Sequence, residues 1–149
     1  MCTSILQIGQ IDGSHVLART MDWPRLGAKP FFAPRHYQWR SVFDNQEYVT
    51  KYALLGSGGK HGQRIDASDG VNEFGLAVQK LTFTNGSQLV EEPTPGKMHL
   101  APFELSFHLL ANYRSVQEII DDIENIELMA DTNSLLKYGH SELHFAACD

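Results

Sequence analysis

The chain of 149 residues has few of the features that mark secreted, membrane or nucleic-acid-binding proteins. Its two cysteines, Cys2 and Cys148, stand at opposite ends and imply no disulfide framework, so a reduced state is the default. The formal net charge of −6 disfavours a nucleic-acid or anionic-membrane partner, because either would need a basic face. No apolar run approaches the ~20 residues of a membrane span.

The beginning of the chain also lacks the features of a secretory signal peptide. It has no positively charged segment, and the apolar run 5–8 is interrupted by Gln7 and followed by Gly9. A lipoprotein anchor at Cys2 is disfavoured for the same reason, because a hydrophobic leader would have to precede it. We therefore expect a cytoplasmic protein with no nucleic-acid or membrane partner.

Length and composition indicate one globular domain over residues 1–149. A chain of this size buries roughly 68–70% of the surface that it exposes when unfolded. The residues are 42% hydrophobic and 20% charged, which is typical of a folded domain.

The hydrophobic pattern predicts strands first, then helices, then one more strand. This order indicates an α+β fold with helices packed on a mostly antiparallel sheet. The glycine-rich segment 56–59 and the segment 69–75 are interpreted as a loop and a turn. The predicted strands are 3–10, 15–19, 31–33, 48–55, 76–83 and 142–147.

Two helices are predicted between the last two strands. The first covers residues 102–112, with Pro102 in its first turn. The second follows a capping box at Ser115 to Glu118, and its apolar residues recur at helical spacing as far as Ile126. We expect this apolar face to pack against the sheet.

Cys2 becomes an interesting residue if Met1 is removed. It would then carry a thiol, with a pKa near ~8.5, and a free α-amino group, with a pKa near ~7.7–8.0. An N-terminal amine can act as the base for a nucleophile on the same residue. Taken alone, however, Cys2 is better interpreted as an inert free cysteine, because most free cysteines are buried.

A predicted hairpin brings charged residues towards Cys2. The turn 11–14 would join strand 3–10 to strand 15–19 in antiparallel pairing, which places Cys2 beside Arg19. Asp22 follows three residues later. We therefore predict that Cys2, Arg19 and Asp22 meet in space.

Other motifs give weaker indications. His140 and His144 have helical metal-ligand spacing, but Gly139 and the strand-like sequence after it disfavour a helix there. The segment 56–60 fails the phosphate-loop pattern, because Leu54 and His61 stand where glycine and Ser or Thr are required. We expect no metal and no cofactor. The aromatic residues Trp23, Phe31, Phe32, Tyr37 and Trp39 either pack in the core or line an apolar pocket.

Four segments, taken in order, carry a resemblance to a known family. They are Cys2 with Thr3, residues 19–23 (Arg-Thr-Met-Asp-Trp), Pro34 with Arg35, and residues 72–76 (Asn-Glu-Phe-Gly-Leu). Together they resemble the choloylglycine hydrolase and penicillin V acylase family, the cysteine branch of the N-terminal nucleophile hydrolases. The resemblance covers essentially the whole chain.

The resemblance implies a fold and a set of site residues. The fold would be the N-terminal portion of the αββα sandwich of these hydrolases. Cys2 would be the nucleophile, Arg19 would favour its thiolate, and Asp22 would hold its amino group. Thr82 stands where the family has an oxyanion-hole residue, which is asparagine in many bile-salt enzymes and tyrosine in penicillin V acylases. If the donor there is the main-chain N–H, the change to threonine is tolerated. If a side-chain amide is required, its loss costs ~10²–10³-fold in rate.

The resemblance also implies a function and leaves alternatives open. The expected reaction is hydrolysis of a linear, non-peptide C–N amide bond in a small molecule with an apolar acyl group. Conjugated bile salts, penicillin V and N-acyl amides such as N-acyl homoserine lactones are the candidate substrates. Family members are longer, and a further oxyanion-hole asparagine and an active-site arginine lie in their C-terminal half. The chain could therefore instead be a truncated homologue that only binds an apolar ligand or needs a partner chain, and homo-oligomerisation stays open.

Overall fold

A computed structural model describes residues 2–22, 27–61, 64–84 and 86–149. Met1 and Trp23 lie outside the described residues, and so do the predictions that involve them. Eleven strands and two α-helices are found within these ranges. The strands are β1 (Ser4–Ile8), β2 (His15–Arg19), β3 (Lys29–Ala33), β4 (Gln38–Arg40), β5 (Glu47–Val49), β6 (Leu54–His61), β7 (Arg64–Asn72), β8 (Ala77–Thr82), β9 (Met98–Leu100), β10 (Ile126–Leu128) and β11 (Leu143–Cys148). The helices are α1 (Leu105–Asn112) and α2 (Val116–Asp122).

A five-stranded antiparallel sheet is the centre of the fold, with strand order β11-β8-β7-β6-β3. β1 and β2 form a separate antiparallel hairpin, with Ser4 opposite Arg19 and Ile8 opposite His15. The α+β class, the hairpin and the antiparallel sheet are as predicted. β9 and β10 form a short parallel pair that was not predicted, because three-residue strands give too little periodicity to recognise.

Helix α1 packs on the sheet and is buried on almost every side. Phe107 and Leu110 are fully buried, and Phe107 meets the rings of Phe31 and Trp39. The contact with the sheet is close, since a side chain on Gly70 of β7 would collide with Leu110. The predicted helix 102–112 is confirmed, although its first three residues, Pro102–Glu104, form a 3-10 turn.

Helix α2 begins as predicted, because the Ser115 hydroxyl accepts a hydrogen bond from the Glu118 amide at 3.2 Å. It ends earlier than predicted. Ile126 lies in strand β10, and the side chain of Ile120 is 59% exposed. The predicted apolar face is therefore wrong at Ile120. Ile119 and Val116 of α2 pack in or against the core, and Ile126 packs against it from β10.

The segment between residues 48 and 72 departs most from prediction. The predicted strand 48–55 is wrong as one continuous strand, because its two ends belong to β5 and β6 and residues 50–53 lie in neither. Thr50 bonds the main chain of Tyr37, and the Lys51 amide bonds Ala111 at the end of α1. The glycine-rich segment 56–59 is part of β6, and β7 extends into the predicted turn as far as Asn72. Glycines in β6 let the two strands approach closely, which a hydropathy pattern does not reveal.

Four of the clustered aromatic residues are described, and their positions favour the core interpretation. Trp39 is fully buried, and its ring packs against the ring of Tyr48 in a tilted arrangement and against that of Phe107 edge to face. Phe31 and Tyr37 pack against the same core, while Phe32 is 63% exposed. Within the described ranges, no helix is long and apolar enough to cross a membrane.

Candidate active site

The hairpin places Cys2 beside Arg19, as the sequence predicts. Arg19 is the last residue of β2 and pairs with Ser4, the first residue of β1. The Thr20 amide donates to the Thr3 carbonyl at 2.9 Å, which extends the antiparallel pairing towards Cys2. The Arg19 Nη2 atom lies 4.0 Å from the Cys2 Sγ atom. Asp22 also reaches Cys2, through a main-chain hydrogen bond to its sulfur.

Strand β8 brings Thr82 to the same point. The hairpin is attached to β8 through Gln79, which accepts a hydrogen bond from the Ser4 hydroxyl at 2.9 Å and donates to the Leu17 carbonyl at 2.9 Å. Three residues further along β8, the Thr82 Oγ1 atom lies 3.5 Å from Cys2 Sγ. The structure therefore brings all four predicted site residues together.

The surroundings of Cys2 favour its thiolate. The hydrogen bond with the Thr82 hydroxyl is the largest cause, and together with main-chain hydrogen bonds from Thr82 and Asp22 and the charge of Arg19 it lowers the pKa of Cys2 to about 7. Burial of the thiol opposes this change, since Cys2 is only 8% exposed. A substantial fraction of Cys2 is therefore deprotonated at neutral pH.

Cys148 has the opposite character. It lies at the end of β11 and is buried. Burial, with a contribution from Asp149, raises the pKa of its thiol. The two cysteines of the chain thus differ in the property that governs thiol reactivity.

A cleft with a volume of about 1360 Å³ opens next to the cysteine. Arg19 and Thr82, whose side chains contact Cys2, both line it. Its wall combines apolar with charged side chains, and Lys80 pairs there with Asp66. The other lining residues are Met21, Gly27, Ala28, Ser68, Phe83, Thr84, Phe103, Tyr138, His140, Ser141, Glu142 and Leu143.

Two residues near the site were missed by sequence reasoning. Arg19 Nη1 donates to the Ser68 carbonyl at 3.1 Å and lies 3.8 Å from Asp69 Oδ2. Both acceptors belong to β7, which the sequence analysis did not recognise as a strand. The sequence holds no signal for them, because the need for acceptors around Arg19 follows from its side chain being 8% exposed, which only the structure shows.

The segment 72–76 makes structural contacts away from Cys2. The buried Asn72 side chain donates to the carbonyls of Leu110 and Tyr113 at 3.0 and 2.7 Å. Glu73 accepts two hydrogen bonds from Arg35, at 2.8 and 2.6 Å. Two of the segments that carried the resemblance, 34–35 and 72–76, therefore contact each other and hold the β7–β8 turn against α1.

Comparison with known proteins agrees with this geometry. The model of the linear amide C–N hydrolases, choloylglycine hydrolase family, matches residues 2–149. The chain belongs to this family. It is 30% identical over 130 residues to the bile salt hydrolase/transferase of Clostridium perfringens, an alignment that covers 87% of this chain and 39% of that protein. It is 29% identical over 131 residues to the bile salt hydrolase/transferase of Bifidobacterium longum, which covers 87% of this chain and 41% of the relative.

Solved structures of family members have the same fold over their matching part. A mutant of the conjugated bile acid hydrolase of Clostridium perfringens superposes with a TM-score of 0.88 at 27% identity, covering 100% of this chain and 45% of that chain. The penicillin V acylase of Agrobacterium tumefaciens superposes with a TM-score of 0.71 at 22% identity, covering 100% and 43%. The fold is thus that of the N-terminal nucleophile hydrolases, and the chain spans less than half the length of these relatives.

Proposed function

We propose that this chain carries the nucleophile of an amidase that hydrolyses linear, non-peptide C–N amide bonds. The observation that carries the proposal is the convergence of Arg19 and Thr82 on the sulfur of Cys2 at the edge of the cleft. A thiol with a pKa of about 7 supplies thiolate at neutral pH without a separate histidine base.

The reaction proceeds through an acyl-thioester. After removal of Met1, the Cys2 sulfur attacks the amide carbonyl carbon, and the α-amino group holds the proton that leaves the thiol. That proton passes to the nitrogen of the leaving amine as the C–N bond breaks. Water then attacks the thioester, its proton returns to the cysteine, and the free acid is released.

Each predicted residue has a physical role in this scheme. Arg19 favours the thiolate through its fixed charge, and Asp22 orients the α-amino group. Thr82 stands beside the attacking sulfur and offers both a hydroxyl and a main-chain amide. Both groups contact the sulfur, and an oxyanion-hole role for Thr82 would use its main-chain amide or its hydroxyl in place of an amide side chain.

The proposed substrate is a small molecule with an apolar acyl group joined to a polar amine, such as a conjugated bile salt. Two family members named for bile salts support this choice. The cleft offers apolar contacts at Phe83, Phe103 and Leu143 and also has charged groups among its lining residues, which suits an amphipathic molecule. Penicillin V and N-acyl homoserine lactones are the competing substrates.

A second candidate function follows from the coverage of the relatives. Because the chain spans under half of their length, its site would lack any residue that the remaining part supplies. In that case residues 1–149 would bind an apolar ligand without turnover, or would become active only with a partner chain.

Turnover assays separate these candidates. The intact mass of the purified chain first shows whether Met1 has been removed. Release of free amine from glycocholate, penicillin V and an N-acyl homoserine lactone is then measured for the wild type and for Cys2→Ala. We expect glycocholate turnover that disappears in Cys2→Ala. Ligand binding without turnover in the wild type would instead support the incomplete homologue, and turnover that survives in Cys2→Ala would eliminate Cys2 as the nucleophile.

A further inference from the structure

The guanidinium of Arg19 makes polar contacts on the side that faces away from Cys2. One terminal nitrogen, Nη2, points to Cys2 Sγ. The other, Nη1, donates to the Ser68 carbonyl at 3.1 Å and lies 3.8 Å from the Asp69 carboxylate. An arginine side chain has several rotatable bonds, so its guanidinium can adopt many positions. The Ser68 carbonyl and the Asp69 carboxylate restrict it to the position beside Cys2.

The acceptor at Ser68 exists because strand β7 contains a β-bulge. In the register of β6 and β7, Ser57 stands opposite Asp69 and Gly58 stands opposite Ala67. Ser68 is thus the extra residue with no partner on β6. Bulges of this kind re-aim groups next to functional sites, and here the Ser68 carbonyl is aimed at Arg19.

The Asp69 carboxylate is itself held in place by the neighbouring strand. Its Oδ1 atom accepts a hydrogen bond from the Ser57 hydroxyl at 2.6 Å, which leaves Oδ2 on the side of Arg19. Ser57, Asp69 and Arg19 therefore form a continuous chain of polar contacts that ends at the sulfur of Cys2.

We propose that Asp69, anchored by Ser57 and assisted by the bulge at Ser68, is a positioning residue that holds the Arg19 guanidinium against Cys2. The inference rests on the proposed function, because it treats the Cys2 thiolate as the reacting group. It adds a residue that acts through Arg19 and does not touch the substrate carbonyl.

The direction in which the pKa of Cys2 shifts when Asp69 loses its charge distinguishes a positioning role from a direct electrostatic effect. Asp69 is negatively charged, so removing its charge without moving Arg19 would lower the pKa of Cys2. If Asp69 holds Arg19 in place, the same substitution frees the guanidinium and the pKa of Cys2 rises. The other described charged or titratable groups near this point are Asp22 beside Cys2 and two pairs in the cleft, Lys80–Asp66 and His140–Glu142, and they stay unchanged in the test.

The experiment measures the rate of Cys2 alkylation by iodoacetamide from pH 5 to pH 9, with the modified site located by peptide mass. Thiolate is the reacting form, so the midpoint of the profile reports the pKa of Cys2. We expect Asp69→Asn to slow alkylation at pH 6 by about twofold and to move the midpoint upward, because the charge of Arg19 lowers the pKa of Cys2 by less than the Thr82 hydrogen bond does. Ser57→Ala should act in the same direction with a smaller effect.

Two further variants complete the design. Arg19→Gln should slow alkylation at least as much as Asp69→Asn, and adding Asp69→Asn to Arg19→Gln should slow it no further, because the two residues act in series. Glu73→Gln is the matched control, since its carboxylate is also paired with an arginine but not with Arg19. This control should leave the profile of Cys2 unchanged. Thermal unfolding of each variant establishes that it is folded at the assay temperature.

The result that would overturn the inference is an Asp69→Asn profile that stays in place or moves to lower pH. An additive effect in the Arg19→Gln background would overturn it as well. Alkylation does not require amide turnover, so a chain that shows the upward shift but hydrolyses nothing would retain this inference and lose the proposed function.

Discussion

The hydroxyl oxygen of Thr82 lies 3.5 Å from the sulfur of Cys2, although the two residues are 80 positions apart in the chain. The contact joins the beginning of the hairpin to the last residue of β8. It is also the largest single cause of the lowered pKa of Cys2, ahead of the charge of Arg19. We therefore expect Thr82 to tune the reactivity of the thiol, in addition to any role in an oxyanion hole.

Replacing Thr82 by valine should slow the reaction of Cys2 at neutral pH. The variant keeps the shape of the side chain and removes the hydroxyl that favours the thiolate, so the pKa of Cys2 should rise from about 7 towards that of an ordinary thiol. Iodoacetamide alkylation near pH 7 should fall by about three- to tenfold.

Thr82→Ser is the control for this substitution, because it retains the hydroxyl. Its alkylation profile should stay close to that of the wild type. Equal profiles for the valine and serine variants would show that the hydroxyl does not act on the thiol. Cys148 provides an internal reference, and its raised pKa predicts slow modification throughout.

Gly58→Ala should destabilise the fold at the bulge. A Cβ atom built on Gly58 would lie 2.0 Å from the Asp66 carbonyl oxygen and 3.0 Å from the Ala67 Cα atom. Both obstacles belong to the main chain of β7, so they cannot move as a flexible side chain can. We expect the free energy of unfolding to fall by roughly 1–3 kcal/mol, measured by urea denaturation.

The control for Gly58 is Gly27→Ala, since a Cβ atom there meets no atom within 4 Å in the part of the chain that the structure describes. This variant should unfold at the same urea concentration as the wild type. A Gly58→Ala protein with unchanged stability would mean that β6 and β7 do not approach each other as closely as described.

Asn72→Ala should cost stability through lost hydrogen bonds in the core. Asn72 is 5% exposed, and its amide group donates to two carbonyls near the end of α1, those of Leu110 and Tyr113. Helix-end carbonyls have no partner within the helix, so the substitution leaves buried acceptors unsatisfied. We expect a loss of roughly 1–3 kcal/mol in the free energy of unfolding.

Asn125→Ala serves as the matched substitution for Asn72→Ala. Asn125 is exposed and bonds only the nearby Asp122 in the described structure, so its replacement should change stability by less than about 0.5 kcal/mol. If both variants were equally stable, the contacts of Asn72 would contribute little to the attachment of α1.

Glu104 should make the folded state sensitive to pH. The side chain is fully buried and accepts hydrogen bonds from Ser41, Val42 and Ala101 at 2.8 to 2.9 Å. Burial nevertheless raises the pKa of its carboxyl to about 7. Because the folded pKa lies above the unfolded value near ~4.3, this group stabilises the fold fully below that value and loses its contribution as the pH rises through about 7.

Glu104→Gln isolates this contribution, because it cannot ionise. Urea unfolding of both proteins at pH 5 and pH 8 should show that the wild type loses stability relative to the variant by on the order of a few kcal/mol. Comparison with the variant is needed because His108, whose pKa is lowered to about 4 by burial, changes wild-type stability with the opposite sign below pH 6.5. A pH-independent difference between the two proteins would contradict the raised pKa.

Several elements could be predicted from local pattern. The hairpin of β1 and β2, the strand β8 and the helix α1 have enough alternation, helical spacing and turn chemistry to be recognised within a few residues of their bounds. The approach of Cys2 to Arg19 followed from antiparallel pairing alone, since a tight turn fixes which residues stand opposite each other. The family segments then linked these positions to a site.

Strand β7 could not be predicted in this way, and with it Asp69 and Ser68 were missed. Its residues include Asp66, Ser68 and Gly70, which disfavour a strand by propensity, and the bulge interrupts the alternation of inward and outward side chains. The glycines of β6 likewise have the composition of a loop, although they lie in a strand because the neighbouring main chain is too close for a Cβ atom.

The proximity of Cys2, Arg19 and Asp22 could thus be predicted from the chain itself, because they lie at the open end of one hairpin whose geometry is local. Their roles, and the place of Thr82 in the site, came from the family segments. The contacts that set their properties could not be predicted: Thr82 reaches the thiol across 80 residues, and Asp69 approaches Arg19 from a strand that forms only when β6 and β7 pair in the sheet. A pKa depends on distances in three dimensions, so the sequence determined which residues are candidates for the site, while the reactivity of Cys2 required the packed fold.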